Sequence, residues 1–178
     1  MSGVSHSGAK DDLDSELIAS WRDGNEAALE DLLRRYQSRI FSFLYRMLRN
    51  RHDAEDAAQE AFIRAARKLD RFSSEKGTFK SWMFQIAYRE GLRMAGRRKR
   101  APVGEGAWTA LGMPPPEAVD PGPPPGQQLV DQETAALVAQ AVESLPEAEK
   151  QVVLLRTYSG LRFREIAEVM KTPLNTTL

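Results

Sequence analysis

Apolar residues recur through most of this chain at three- and four-residue steps, the spacing that lays a stripe along one side of a helix. Leu13, Leu17 and Trp21 predict a short helix from about Leu13 to Arg22, closed by Gly24. Asn25 is placed to cap a longer helix carrying Leu29, Leu32, Leu33, Tyr36, Ile40, Phe43, Leu44 and Met47, and ending near Arg49 and Asn50. Asp53 is the expected cap of a third helix, with Asp56 adding negative charge to its first turn. Ala58, Phe62, Ala65 and Leu69 form its buried stripe. Asp56, Gln59, Glu60, Ile63 and Arg67 fall on the opposite face, which is expected to be exposed. Beyond the loop RFSSEKG, a fourth helix is predicted from about Thr78 to Arg97. Phe79, Trp82, Met83 and Ile86 face inward there, and the helix runs out into Arg97, Arg98, Lys99 and Arg100.

The pattern stops at residue 101. Eight of the ten prolines and five glycines fall within residues 101–128, and no helix persists through PPPEAVDPGPPPG, because each proline removes a donor and restricts its predecessor. A stiff, extended linker is expected, with an apolar island at Trp108, Leu111 and Met113. Helical spacing resumes at Leu129, Leu137, Val138, Ala141 and Val142. A further helix opens at Pro146 with Val152, Val153 and Leu155 inside, and Gly160 ends it. A short helix from about Arg162 to Met170, a turn at Lys171-Thr172 and a new start at Pro173 make a helix-turn-helix. Only one turn of its second helix precedes Leu178. The fold class is therefore all-α, with two small helical domains, an N-terminal bundle and a C-terminal helix-turn-helix, joined by a Pro/Gly-rich linker. The boundaries are 1–11 for a disordered tail, 12–100, 101–128 and 129–178.

Charge sharpens this division. The net charge is zero, yet residues 61–100 carry 12 Lys/Arg against 3 Asp/Glu, while residues 1–60 carry 8 against 12 and residues 101–178 carry 5 against 10. A basic block in an otherwise acidic chain points to a local polyanion contact. Without cysteine there is no disulfide, thiolate metal site or thiol nucleophile. The two histidines, His6 and His52, stand in the tail and between two helices. No metal constellation, phosphate-cradling glycine loop or paired nucleophile and base is visible, so neither catalysis nor a cofactor or metal is expected. No apolar run approaches a membrane span, and the N-terminus lacks the apolar core of a secretory signal, so the expected compartment is the cytoplasm.

Three segments, in order, resemble the extracytoplasmic-function (ECF) sigma factors, the two-domain minimal members of the bacterial sigma family. DAEDAAQEAFIRAARKLDRF, from Asp53, is similar to the polymerase-binding helix of the first conserved domain. GTFKSWMFQIAYREGLRMAGRRKR, from Gly77, is similar to the promoter-melting helix. LPEAEKQVVLLRTYSGLRFREIAEVM, from Leu145, is similar to the second conserved domain. The resemblance implies that Asp56, Gln59 and Glu60, with Ile63 beside them, contact a coiled coil of the largest polymerase subunit. It also implies that Phe72 and the RFSSEKG loop select a flipped promoter base. Phe84 and Tyr88 are expected to stack on bases, with Lys80, Arg89, Arg93, Arg97, Arg98, Lys99 and Arg100 as the cationic face. Trp82 is assigned to the core by its phase with Met83 and Ile86. Arg89 and Arg93 replace an asparagine and an acidic residue found in many relatives.

In the second domain Glu165, Ile166 and Ala167 stand where relatives carry Glu-Ile-Ala, with Glu165 orienting the turn. Asn175, Thr176 and Thr177 begin the helix that would read the minus-thirty-five element. The implied partners are core RNA polymerase, single-stranded minus-ten and duplex minus-thirty-five promoter DNA, and an anti-sigma protein as control partner. Two other readings stay open. One is a helix-turn-helix regulator without polymerase, and the other is a degenerate sigma relative that docks but opens nothing.

Overall fold

A computed structural model describes residues 6–98, 140–142 and 144–172, less the side chains of 6–11 and 98. All regular structure among these residues is helical: α1 (His6–Arg22), α2 (Glu26–Leu48), α3 (Arg51–Lys68), α4 (Phe79–Arg98), α5 (Glu147–Ser159) and α6 (Phe163–Met170). Two 3-10 turns, Leu69–Arg71 and Ser74–Lys76, shape the loop between α3 and α4. The linker with Trp108, Leu111 and Met113, most of the helix expected from Leu129, and Pro173 onward lie outside the described residues.

The helices expected within the described residues are present, with three corrections at their ends and faces. First, α1 starts at His6, inside the stretch assigned to a disordered tail. Once a helix is anchored, each added residue gains a hydrogen bond without the cost of nucleation, so it extends past its last packed side chain. Second, Leu13 is 39% exposed, while Asp14 and Ile18 are buried. The Asp14 carboxylate accepts hydrogen bonds from Arg35 Nε at 3.1 Å and from the Tyr36 hydroxyl, both on α2. A buried carboxylate needs such donors, and satisfying them turns α1 away from its purely apolar stripe. Third, Asn50 rather than Asp53 caps α3. Its Oδ1 accepts the Asp53 backbone N–H at 3.0 Å, which puts Asp53 in the first turn. Asn25 does stand at the N-cap of α2, but its side chain donates to Ser20 Oγ at 3.0 Å and makes no capping bond.

The core lies where α2, α3 and α4 meet. Leu32, Ile40, Phe43 and Leu44 of α2 face Phe62 and a run of small residues on α3 (Ala54, Ala57, Ala58, Ala61, Ala65), with Met83, Phe84 and Ala87 of α4 behind. Each large apolar side chain fully buried here contributes about 1.5–3 kcal/mol. The second helical unit rests on the first: α5 packs on α2, and α6 packs on α4. Val152, Leu155, Leu161, Ile166 and Val169 join the same apolar cluster. Two polar contacts fix the seam. Tyr88 donates its hydroxyl to Gln151 Oε1 at 2.5 Å, and Gln85 Nε2 donates to the Glu168 carbonyl at 3.2 Å. Gly160, at φ +66°, ends α5 and turns the chain into α6.

Phe84 belongs to this core. It is fully buried and meets Phe43 edge-on, with ring centroids 5.8 Å apart. Replacing Phe84 with alanine is therefore expected to cost about 3–5 kcal/mol of stability, read as an earlier midpoint in urea unfolding followed by circular dichroism. A variant as stable as the parent, deficient only in DNA binding, would put the ring at the surface instead.

Candidate polymerase and nucleic-acid interfaces

On α3, the Asn50 cap and the alanine-rich packing face leave Asp56, Glu60 and Ile63 half-exposed along one edge. Gln59 does not join them. It is 3% exposed and its Nε2 is buried without a hydrogen-bond partner among the described residues. The expectation of an exposed Gln59 is corrected for a geometric reason. Because α3 packs against both α2 and α4, its buried arc is wider than one stripe and takes in Gln59, in step with Phe62.

Burial pushes the Asp56 carboxyl above the usual carboxylate value, and the neighbouring charges of Asp53 and Glu55 push it further. His52 and Arg97 pull the other way. The basic end of α4 is thus close enough to be felt at the acidic edge of α3. Between the two helices runs a chain of ion pairs. Arg64 Nε donates to Glu60 Oε1 at 2.7 Å and stands 2.9 Å from Glu90 Oε1, while Arg93 Nε donates to Glu90 Oε2 at 2.6 Å.

On α4, Arg89 and Arg97 are exposed and Lys80 is half-exposed. Arg93 is not a free cation, as expected from the sequence, but is engaged by Glu90. The Arg98 side chain, Lys99 and Arg100 lie outside the described residues. Phe84 is corrected as a base-stacking residue, and Tyr88 is not displayed while the second unit is seated. Phe84 is core, and Tyr88 is buried under α5 with its hydroxyl on Gln151; burial and then Glu147 raise its pKa above the ordinary tyrosine value. The physical reason is that α4 is the central helix, touched by α1, α2, α3, α5 and α6, so its buried face is wider than one stripe and takes in both rings.

The loop between α3 and α4 forms a cleft of about 220 Å³. Arg71, Phe72, Ser73, Lys76, Gly77, Thr78, Ser81, Trp82 and Gln85 line it, and Glu168 of α6 adds one wall. Phe72 is mostly buried rather than displayed. Its ring packs 5.6 Å from Phe79 and 5.4 Å from Trp82, and its carbonyl accepts from Arg22 Nη2 at 2.7 Å, which ties the loop to α1. Trp82, assigned to the core, packs on the core cluster against Phe72 and Phe79 but is only partly buried and also lines the cleft. An aromatic face, hydroxyls, an amide and two cations suit a flipped base and its phosphate.

Comparison with known proteins bears on what these surfaces serve. Residues 19–101 match the family description Sigma-70 region 2, and residues 135–177 match Sigma-70, region 4. The RNA polymerase sigma-H factor of Pseudomonas aeruginosa is 30% identical over 92% of this chain and 85% of its own. The ECF RNA polymerase sigma factor SigW of Bacillus subtilis is 32% identical over 89% of this chain and 86% of its own. This chain belongs to the ECF sigma factors. Among solved structures, CnrH in complex with the cytosolic domain of CnrY shares the fold, with a TM-score of 0.60 at 20% identity over 93% of this chain and 87% of that one. The protein is accordingly a transcription initiation factor that directs promoter recognition, of a family whose members are not themselves enzymes.

In the second unit of this sigma factor, Ile166 and Ala167 are buried as expected, and Glu165 Oε2 accepts the Arg162 backbone N–H at 2.7 Å, closing the turn into α6. Asn175, Thr176 and Thr177 lie outside the described residues. Among the described residues no His/Asp/Glu group is set to hold a metal, and no helix is long and apolar enough to cross a membrane.

The raised pKa of Asp56 has a measurable consequence. Folding favours its protonated form, so its contribution is fully present below the unfolded value and is lost as pH rises through the folded one. At neutral pH the Asp56 charge works against folding. Asp56→Asn is expected to raise the melting temperature at pH 7, with the gain shrinking as pH falls into the carboxylate range. A melting temperature unchanged or lowered at pH 7 would show that the charge is not held against its environment.

Proposed function

We propose that this sigma factor docks core RNA polymerase through the α3 edge at Asp56, Glu60 and Ile63, and captures the unpaired minus-ten strand with α4 and the loop cleft. The observation that carries the reading is the arrangement of one acidic edge and one cationic, aromatic-lined side on adjacent helices of a single bundle. The half-exposed carboxylates can accept charge-assisted hydrogen bonds from Arg or Lys of a partner helix, with Ile63 as an apolar contact beside them. Lys80, Arg89, Arg97, Arg98, Lys99 and Arg100 would neutralise phosphates, and the cleft beside Phe72 and Trp82 would hold a flipped base. Residues 12–100 would carry both tasks. Residues 129–178 would read the minus-thirty-five duplex with Asn175, Thr176 and Thr177, and residues 101–128 would join the two. The factor would act in the cytoplasm, where core polymerase is. An anti-sigma protein as control partner belongs to this reading as well; CnrH, which shares the fold, is solved in complex with the cytosolic domain of CnrY.

Promoter geometry adds a requirement. The two elements are about 25 base pairs apart by their names, or about 85 Å of duplex at 3.4 Å per step. Units joined by the Tyr88–Gln151 and Gln85–Glu168 contacts cannot reach both. The reading therefore needs them to part, and the 28 residues 101–128 have an extended reach of about 85 Å.

Run-off transcription with purified core enzyme tests both halves. The pair Asp56→Ala, Glu60→Ala is expected to lower core binding at least tenfold with helicity retained; co-purification at the parental level would refute the docking edge. Because the chain has no cysteine of its own, Gln85→Cys with Glu168→Cys can be bridged by a short bismaleimide. The bridged protein is expected to lose promoter opening that the unbridged variant keeps. Equal transcription from both would rule out separation of the units.

A further inference from the structure

Glu90 is the unexpected group on α4. It is a carboxylate only 4% exposed, set among arginines in a helix whose outer side is otherwise cationic. A buried carboxylate is retained only where it is paired, and here it is paired twice, once across to α3 and once along α4. Arg64 is the matching oddity on α3, a single guanidinium whose Nε serves both Glu60 and Glu90. The chain Glu60–Arg64–Glu90–Arg93 therefore begins on the edge assigned to polymerase and ends on a cation facing the side assigned to DNA. It holds two acids and two bases, and each inner member is shared.

We propose that Arg64 and Glu90 are positioning residues that couple polymerase docking to strand capture, an inference that rests on the docking and capture surfaces assigned above. The physical step is competition for shared partners. A cation arriving from the polymerase helix at Glu60 displaces Arg64 from that carboxylate. Arg64 then pairs fully with Glu90, whose hold on Arg93 weakens, and Arg93 becomes available to a phosphate. No residue need move farther than a rotamer change, because the four groups are already within 3 Å of their neighbours. By linkage the coupling is reciprocal, so DNA held by Arg93 also favours docking.

The network predicts that two substitutions act in opposite senses. With Glu90→Gln, Arg64 is left to neutralise Glu60 alone and Arg93 is released. Core polymerase affinity is expected to fall about fivefold and single-stranded DNA affinity to rise by a similar factor. The salt slope of DNA binding should steepen by about 0.7, one added phosphate contact. With Arg64→Gln, Glu60 is unmasked and Glu90 grips Arg93 alone, so core affinity rises and DNA affinity falls. The measurements are fluorescence anisotropy of a labelled 20-nucleotide single strand and titration of core enzyme, both on the full chain. A purely structural role would lower both affinities in both variants, and that result overturns the proposal, as does the absence of any change. Asp56→Ala is run alongside. If it abolishes core binding while the two variants fail to diverge, only the coupling is wrong. If it leaves core binding intact, the docking edge and the coupling fall together.

Discussion

The close approach of α2, α3 and α4 is the constraint from which the rest of the molecule follows. Five alanines on α3 are fully or almost fully buried, and a side chain at Gly91 of α4 would press on α2 and make Met47 shift. A Cβ there would stand 2.6 Å from Met47 Sδ and 3.0 Å from a Leu44 methyl on α2. Small residues let helix axes come together, and interior packing leaves no slack for larger ones. The result is that an acidic helix edge and a basic helix lie side by side, close enough for Arg64 of α3 to reach Glu90 of α4 at 2.9 Å.

Such proximity would be self-defeating if the opposite charges simply neutralised each other. The structure avoids this by pairing the inner charges and leaving the outer ones available. Glu90 and Arg64 take up the charge between the helices, while Asp56 stays partly desolvated beside like charges and Arg89 and Arg97 remain exposed. An acid held against like charges is a poor contributor to the fold and a good acceptor for an incoming cation. Functional positions are where such local costs concentrate. The basic block visible in the composition is therefore smaller as a surface than as a count, since Arg64 and Arg93 are occupied internally.

The sequence made the helices legible because their apolar steps are regular, and α2 follows its predicted stripe almost residue for residue. It was misleading where one face was not enough to describe a helix. In α4 the apolar residues spread well beyond one stripe (Phe79, Met83, Phe84, Ile86, Ala87, Tyr88, Met94), because the helix packs against neighbours on several sides and keeps only part of its surface for solvent. Reading only one stripe as core assigned Phe84 and Tyr88 to DNA, when both are buried, and left unseen that Trp82, while packed on the core, also edges the cleft. Gln59 went astray in the same way, because α3 has two packing neighbours rather than one. The Glu90 network was invisible for another reason. The Glu90–Arg93 spacing could be read along α4, but Arg64 reaches Glu90 only because α3 and α4 pack, and no local pattern reports that.

The shared core of the two units bears on what can drive them apart. A partner shifts a conformational equilibrium only through a difference in its affinity for the two states. The α3 edge at Asp56 and Glu60 is accessible while α5 and α6 are seated, so a polymerase contact confined to that edge would bind the closed and open forms alike and open nothing. The groups whose accessibility changes are those at the seam: Tyr88 under α5, Gln85 against the Glu168 carbonyl, and the side of the cleft that Glu168 walls. In the proposed reading, opening would be driven by whatever occupies these groups or the uncovered faces of α5 and α6: promoter strand on one side and further polymerase surface on the other.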